Sequence, residues 1–118
     1  MYFENKKDAK KRIDYLMEKL NINTELISRE SNADNNVLSA GEKQKINLLR
    51  AFYKQSRILI LDEPFASLDR NTKTLLETLI EEEREKRIII LISHENEINV
   101  NSENQYIISE YTKSDGRQ

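Results

Sequence analysis

An α/β fold with parallel strands and a crossover helix is what this sequence predicts, on three observations. Ile58-Leu59-Ile60-Leu61 and Ile88-Ile89-Ile90-Leu91-Ile92 are unbroken β-prone apolar runs, the pattern of strands buried on both faces of a parallel sheet. The connection between them is long enough for a parallel crossover and turns helical from about Asn71 to Lys86. There Leu75, Leu76, Leu79 and Ile80 fall on one side, with Glu81, Glu82, Arg84 and Glu85 spread over the other. Pro64 ends the first run and leaves Asp62 and Glu63 at its carboxyl end.

The remaining elements follow from periodicity and turn chemistry. Asp8–Leu20 reads as an amphipathic helix with Ile13, Leu16, Met17 and Leu20 on one face. Lys7, Lys10, Lys11, Arg12 and Lys19 lie largely off that face and read as a solvated surface, because no aromatics interleave the charges. Asn21–Val37 is polar, with Leu26 and Ile27 as its main apolar pair, and is expected to be a loop with room for a short helical turn. Ser39-Ala40-Gly41-Glu42 has the spacing of a capping box. It opens a helix to about Lys54, whose buried face carries Ile46, Leu48, Leu49, Phe52 and Tyr53. Beyond Ile92, Ser93 and His94 leave the sheet at its carboxyl edge, and Gln105–Tyr111 alternates weakly, as a short final strand before a frayed tail.

Composition bounds what such a chain can do. Its 118 residues are the size of one domain. With 37% hydrophobic and 34% charged residues, and a mean hydropathy of -0.76, the core is expected to be thin. A net charge of -2 argues against electrostatic binding to nucleic acid or an anionic membrane. The absence of cysteine excludes disulfides, thiolate metal sites and a cysteine nucleophile, and one histidine cannot build a multi-histidine zinc site. A cytosolic compartment fits that composition. No apolar run approaches the roughly 18–20 residues that cross a bilayer, and no apolar stretch of a secretory leader follows Met1, so neither spanning nor secretion is expected. Gly41 and Gly116 are the only glycines, so no G-x-x-x-x-G-K-[ST] phosphate loop is present.

In open α/β sheets ligands bind beyond the carboxyl ends of the strands, and Asp62, Glu63 and His94 all leave the sheet at that edge. A carboxylate after a buried strand is suited to holding Mg²⁺ on a nucleoside triphosphate through water, and its neighbour, pointing another way, to acting on the attacking water. Taken singly, each residue also has a purely structural reading. Asp62 and Glu63 can solvate a strand end, Ser39 and Glu42 can be only a helix cap, Asp69 can be the N-cap of the next helix, and His94 can be a surface histidine.

In their order and spacing, Leu38-Ser39-Ala40-Gly41-Glu42, Ile58–Pro64, Ser67-Leu68-Asp69 and His94 resemble the ATP-binding cassette (ABC) ATPases. The resemblance reads them as signature, Walker B, D-loop and switch histidine. It implies a partial P-loop NTPase-like core with part of the helical subdomain, residues 1–37 belonging to that subdomain and residues 38–118 to the signature helix and the Walker-B half. It further implies ATP hydrolysis at a head-to-tail dimer interface, with ATP and Mg²⁺ as cofactors. Asp62 would serve the metal, Glu63 would polarise water and His94 would sense the γ-phosphate. Ser39, Gly41 and Glu42 would meet nucleotide bound to the opposite cassette, and Asp69 would couple the two sites.

The expected partners are a second nucleotide-binding domain and transmembrane transporter domains, with no direct nucleic acid, at the cytoplasmic face of a membrane. Ala40 and Glu42 depart from the family's commonest LSGGQ form, and Glu42 would hinder phosphate approach unless it folds back onto the Ser39 N–H. The phosphate loop, the adenine-stacking aromatic and the Gln-containing loop would lie upstream of Met1, so the chain by itself is expected not to hydrolyse ATP. Two other readings are a chromosome-maintenance or DNA-repair ATPase head and a catalytically silent module that folds on a partner. No heptad-patterned coiled coil precedes the signature, which counts against the first.

Overall fold

The computed structural model describes residues 5–31, 38–94 and 98–101. The elements run α1 (Lys6–Lys19), α2 (Thr24–Ser31), α3 (Ala40–Tyr53), β1 (Ile58–Asp62), α4 (Arg70–Glu83) and β2 (Ile88–Ile92). The final strand expected at Gln105–Tyr111 lies outside the described residues.

Each helix begins at a side-chain cap. Asn5 accepts from the Asp8 N–H at 3.0 Å to open α1, Asn23 accepts from the Leu26 N–H at 2.8 Å for α2, and Asp69 accepts from the Thr72 N–H at 2.7 Å for α4. These bonds satisfy donors that the helix itself leaves unpaired. α1 stops at Asn21, whose φ of 55° is left-handed. The Asn21 and Ile22 N–H groups then bond back to the Glu18 and Met17 carbonyls at 3.2 and 2.8 Å, a Schellman closure with asparagine in the usual glycine position. α2 is a full two-turn helix where the sequence suggested a loop with at most a short helical turn, because a cap and the apolar pair Leu26 and Ile27 suffice once Leu26 is buried in the common core.

β1 and β2 pair in parallel, Ile58 opposite Ile88 through Asp62 opposite Ile92, with α4 as the crossover. Both strands lie where the apolar runs predict them, but their burial on both faces is not observed. Leu59 and Leu61 are buried, while Ile58, Ile60, Ile88, Ile90 and Ile92 face solvent, Ile60 and Ile88 at 62% exposure each. The reason is that the core sits on one side only. Leu59 and Leu61 join Leu16, Leu20, Phe52, Phe65, Leu76, Leu79 and Ile80 in one cluster, and nothing among the described residues covers the other face.

Arg12, read from sequence as part of a solvated face, is instead partly buried at the junction of α1, α3 and α4. It pairs with the Glu83 carboxylate and donates to the Phe52 carbonyl at 3.1 Å. Arg87 reaches the same Glu83 oxygen at 2.6 Å and the carbonyls of Phe52 and Lys54 at 2.8 and 2.7 Å. Glu83 is 1% exposed. Burial pushes its carboxyl up, but the bonds and charges of Arg12 and Arg87 outweigh that and hold it below the ordinary carboxylate range. Ile13, expected on the buried face of α1, lies at its margin, 36% exposed.

Candidate functional site

The ladder of the sheet carries one residue past β1, where the Glu63 N–H donates to the Ile92 carbonyl at 2.8 Å. Glu63 then turns the chain with φ 50°, and Ser67 does so again with φ 64°, both left-handed conformations that non-glycine residues adopt at a cost. Packing holds the loop down. Pro64, Phe65 and Leu68 are buried, and the Ala66 N–H closes the turn on the Glu63 carbonyl at 3.2 Å.

This geometry brings Glu63 and His94 together across the carboxyl ends of the two strands. Glu63 Oε1 accepts from the His94 backbone N–H at 3.0 Å and also pairs with His94 Nδ1. The Glu63 side chain remains about a third exposed and that of His94 almost wholly so, which leaves the pair open to water and ligand. Asp62, immediately before it, is exposed in the last position of β1.

The amino end of α3 forms the second part. Ser39 Oγ accepts from the Glu42 N–H, and Glu42 Oε1 accepts from the Ser39 N–H, each at 3.1 Å. The capping box therefore closes, with the Glu42 side chain folded back onto the Ser39 N–H. The Ser39 hydroxyl, accepting from Glu42, keeps its own proton to donate. Gly41 is needed for contact, since a Cβ there would lie 2.5 Å from the Ser67 carbonyl oxygen. Its absent side chain lets the first turn of α3 rest on the loop that leaves β1. Asp69, which ends that loop, is held below the ordinary carboxylate range chiefly by the Thr72 backbone N–H.

The candidate residues thus fall into two groups joined by one loop: Asp62, Glu63 and His94 at the strand ends, and Ser39, Gly41 and Glu42 at the start of α3, with Asp69 beyond the loop. The helix dipole favours negative charge at the second group, where the Glu42 carboxylate already sits on the Ser39 N–H. Among the described residues no three carboxylate, histidine or cysteine side chains gather as a metal cage. Asp62 offers a single exposed carboxylate at the end of β1, and Mg²⁺ is the kind of ion that is held by one or two carboxylates with water and substrate phosphates in its remaining positions.

Gln44 was not legible as a site residue. Its Nε2 donates to the Glu63 carbonyl at 3.3 Å and to the Pro64 carbonyl at 2.9 Å. In sequence it reads as one more polar helix residue, because a bond to distant backbone leaves no mark in periodicity.

The family model described as ABC transporter matches residues 1–66, more than half of the chain. A thiamine import ATP-binding protein of Rhizobium meliloti is 44% identical over 59 residues, 48% of this chain and 25% of that protein. A cytochrome c biogenesis ATP-binding export protein of Mannheimia succiniciproducens is 44% identical over 59 residues, 49% of this chain and 27% of that protein. A macrolide export ATP-binding/permease protein of Chlorobium luteolum is 42% identical over 62 residues, 52% of this chain and 9% of that protein. The match to each of these relatives spans little more than a quarter of its length at most.

Proposed function

This chain belongs to the ABC transporter family, and from that premise we propose that it forms part of the ATP-binding and hydrolysing component of a transporter. Residues 1–37 then belong to the helical subdomain and residues 38–118 to the signature helix and the Walker-B half. The names of the relatives speak of import and export, which supports transport over a role in DNA maintenance. Its partners on this reading are a second nucleotide-binding domain and transmembrane domains at the cytoplasmic face of a membrane. Among the described residues no helix is long and apolar enough to cross a membrane.

One observation carries the catalytic part: Glu63 Oε1 is held by the His94 N–H and ring at the carboxyl ends of both strands, beside Asp62. A carboxylate so fixed is placed to take a proton from water as the water oxygen attacks the γ-phosphorus of ATP and the bond to the ADP oxygen breaks. Asp62 is the residue to hold Mg²⁺, through water. Bound Mg²⁺ supplies charge neutralisation on the β- and γ-phosphates. His94 orients Glu63 and meets the γ-phosphate. Ser39, Gly41 and Glu42 form the amino-end anion site for nucleotide held by the opposite cassette, and Asp69 works across that interface. The phosphate loop comes from outside these 118 residues.

The test is Glu63→Gln in the ATPase assembled from this chain and the phosphate-loop segment it works with. General-base assistance contributes about 10²–10⁴-fold, so hydrolysis should fall by that factor while nucleotide binding is kept, since the amide preserves shape and hydrogen bonding. Equal hydrolysis by the two forms would return Glu63 to a turn residue.

A further inference from the structure

We propose that Gln44 is a positioning residue for hydrolysis, fixing Glu63 through its backbone; the inference rests on the assignment of Glu63 as base. Glu63 sits at φ 50°, a conformation that persists in a non-glycine residue only where its surroundings over-determine it. Its N–H is held by the Ile92 carbonyl at 2.8 Å and its carbonyl accepts from the Ala66 N–H at 3.2 Å. Those two bonds are internal to the sheet edge and the turn. Gln44 is the brace from outside: the two protons of one amide nitrogen reach the consecutive carbonyls of Glu63 and Pro64.

That amide belongs to the same helix whose first turn carries Ser39, Gly41 and Glu42. α3 therefore grips the loop at two points, through Gln44 near its start and through the close approach of Gly41 to Ser67 near its end. A phosphate drawn to the amino end of α3 and the water activated by Glu63 are thereby referred to one rigid element. Loss of the amide donors leaves the Glu63 backbone held only by the sheet edge and the turn, and a resulting misplacement of the carboxylate of about 1 Å can cost on the order of 10²-fold in rate.

The experiment is a double-mutant cycle in the assembled ATPase. Gln44→Glu keeps the size of the side chain but sets an oxygen against two carbonyls, and Gln44→Met removes the donors without adding charge. Gln44→Lys restores a donor. The first two should lower kcat by about 10- to 100-fold with the KM for ATP unchanged, and Gln44→Lys should recover most of the rate. In the Glu63→Gln background neither should cost anything further, because Gln44 acts only through Glu63. An equal loss in both backgrounds, a change confined to KM, or wild-type rates for Gln44→Met would overturn the proposal while leaving Glu63 as base. Full activity in Glu63→Gln alone would remove both.

Discussion

The two ends of α4 treat charge in opposite ways. At the carboxyl end Glu83 is buried, and arginines from α1 and from beyond α4 neutralise it while tying up the free carbonyls of Phe52 and Lys54. At the amino end the carboxylates of Asp62 and Asp69 are exposed, and the loop between them carries left-handed Glu63 and Ser67. One end spends its charges on holding three helices together. The other leaves Asp62 exposed, gives Asp69 to the Thr72 N–H and holds two residues in left-handed backbone.

Breaking the closed end should have the largest effect on stability. Glu83→Ala leaves two arginines buried without their partner, and removing one member of a buried pair costs about 3–5 kcal/mol, read as a fall in the urea midpoint. Glu83→Gln should cost less, because the amide oxygen still accepts. The pH dependence has a definite sign. A carboxyl held low in the folded state contributes stability above its ordinary value near ~4.3, and that contribution is lost as pH falls through the lower folded value. The wild-type protein should therefore weaken as pH drops below about 4.3, and Glu83→Gln should lose that part of the slope.

Gly41→Ala comes next and probes the open end. Its methyl would meet the Ser67 carbonyl at 2.5 Å, and overpacking of this kind costs about 1–3 kcal/mol. The expected outcome is a lower unfolding midpoint, with the largest amide shifts at residues 63–68. A midpoint equal to wild type would mean that the loop yields freely at Ser67 and that the close approach of Gly41 does not hold it.

Asp69→Ala is the smallest change. It removes the acceptor for the Thr72 N–H, so the midpoint should drop above the ordinary aspartate value of about 3.9. The difference from wild type should disappear once the wild-type carboxyl is itself protonated. Asp69→Asn, an equally good cap, should show little loss at neutral pH.

Much of the open end was readable in advance and the closed end was not, and the division follows the range of the forces involved. Helix caps, strands and the meeting of Glu63 with His94 depend on near neighbours or on a sheet edge that the strand order already defines. α2 was half visible, since its cap at Asn23 looks like any other polar loop residue until Leu26 finds a core. The Arg12, Glu83 and Arg87 cluster and the Gln44 brace were hidden for a different reason. Arg12 and Gln44 meet partners on other elements, Glu83 lying seventy-one residues from Arg12, and Arg87, only four residues from Glu83, also reaches Phe52 and Lys54 more than thirty residues away; a charged or amide side chain carries no periodic sign of what it will meet.

The solvent-facing isoleucines of the sheet have a calorimetric consequence. Heat capacity rises on unfolding because apolar surface becomes hydrated, by about 12–15 cal/mol/K per residue in ordinary domains. Ile58, Ile60, Ile88, Ile90 and Ile92 are already 45–62% exposed in the folded chain, so each adds only about half of what a buried isoleucine would to that rise. The stability curve of the chain is flatter for it, and any surface that dries this face takes over the missing increment as a negative heat capacity of association.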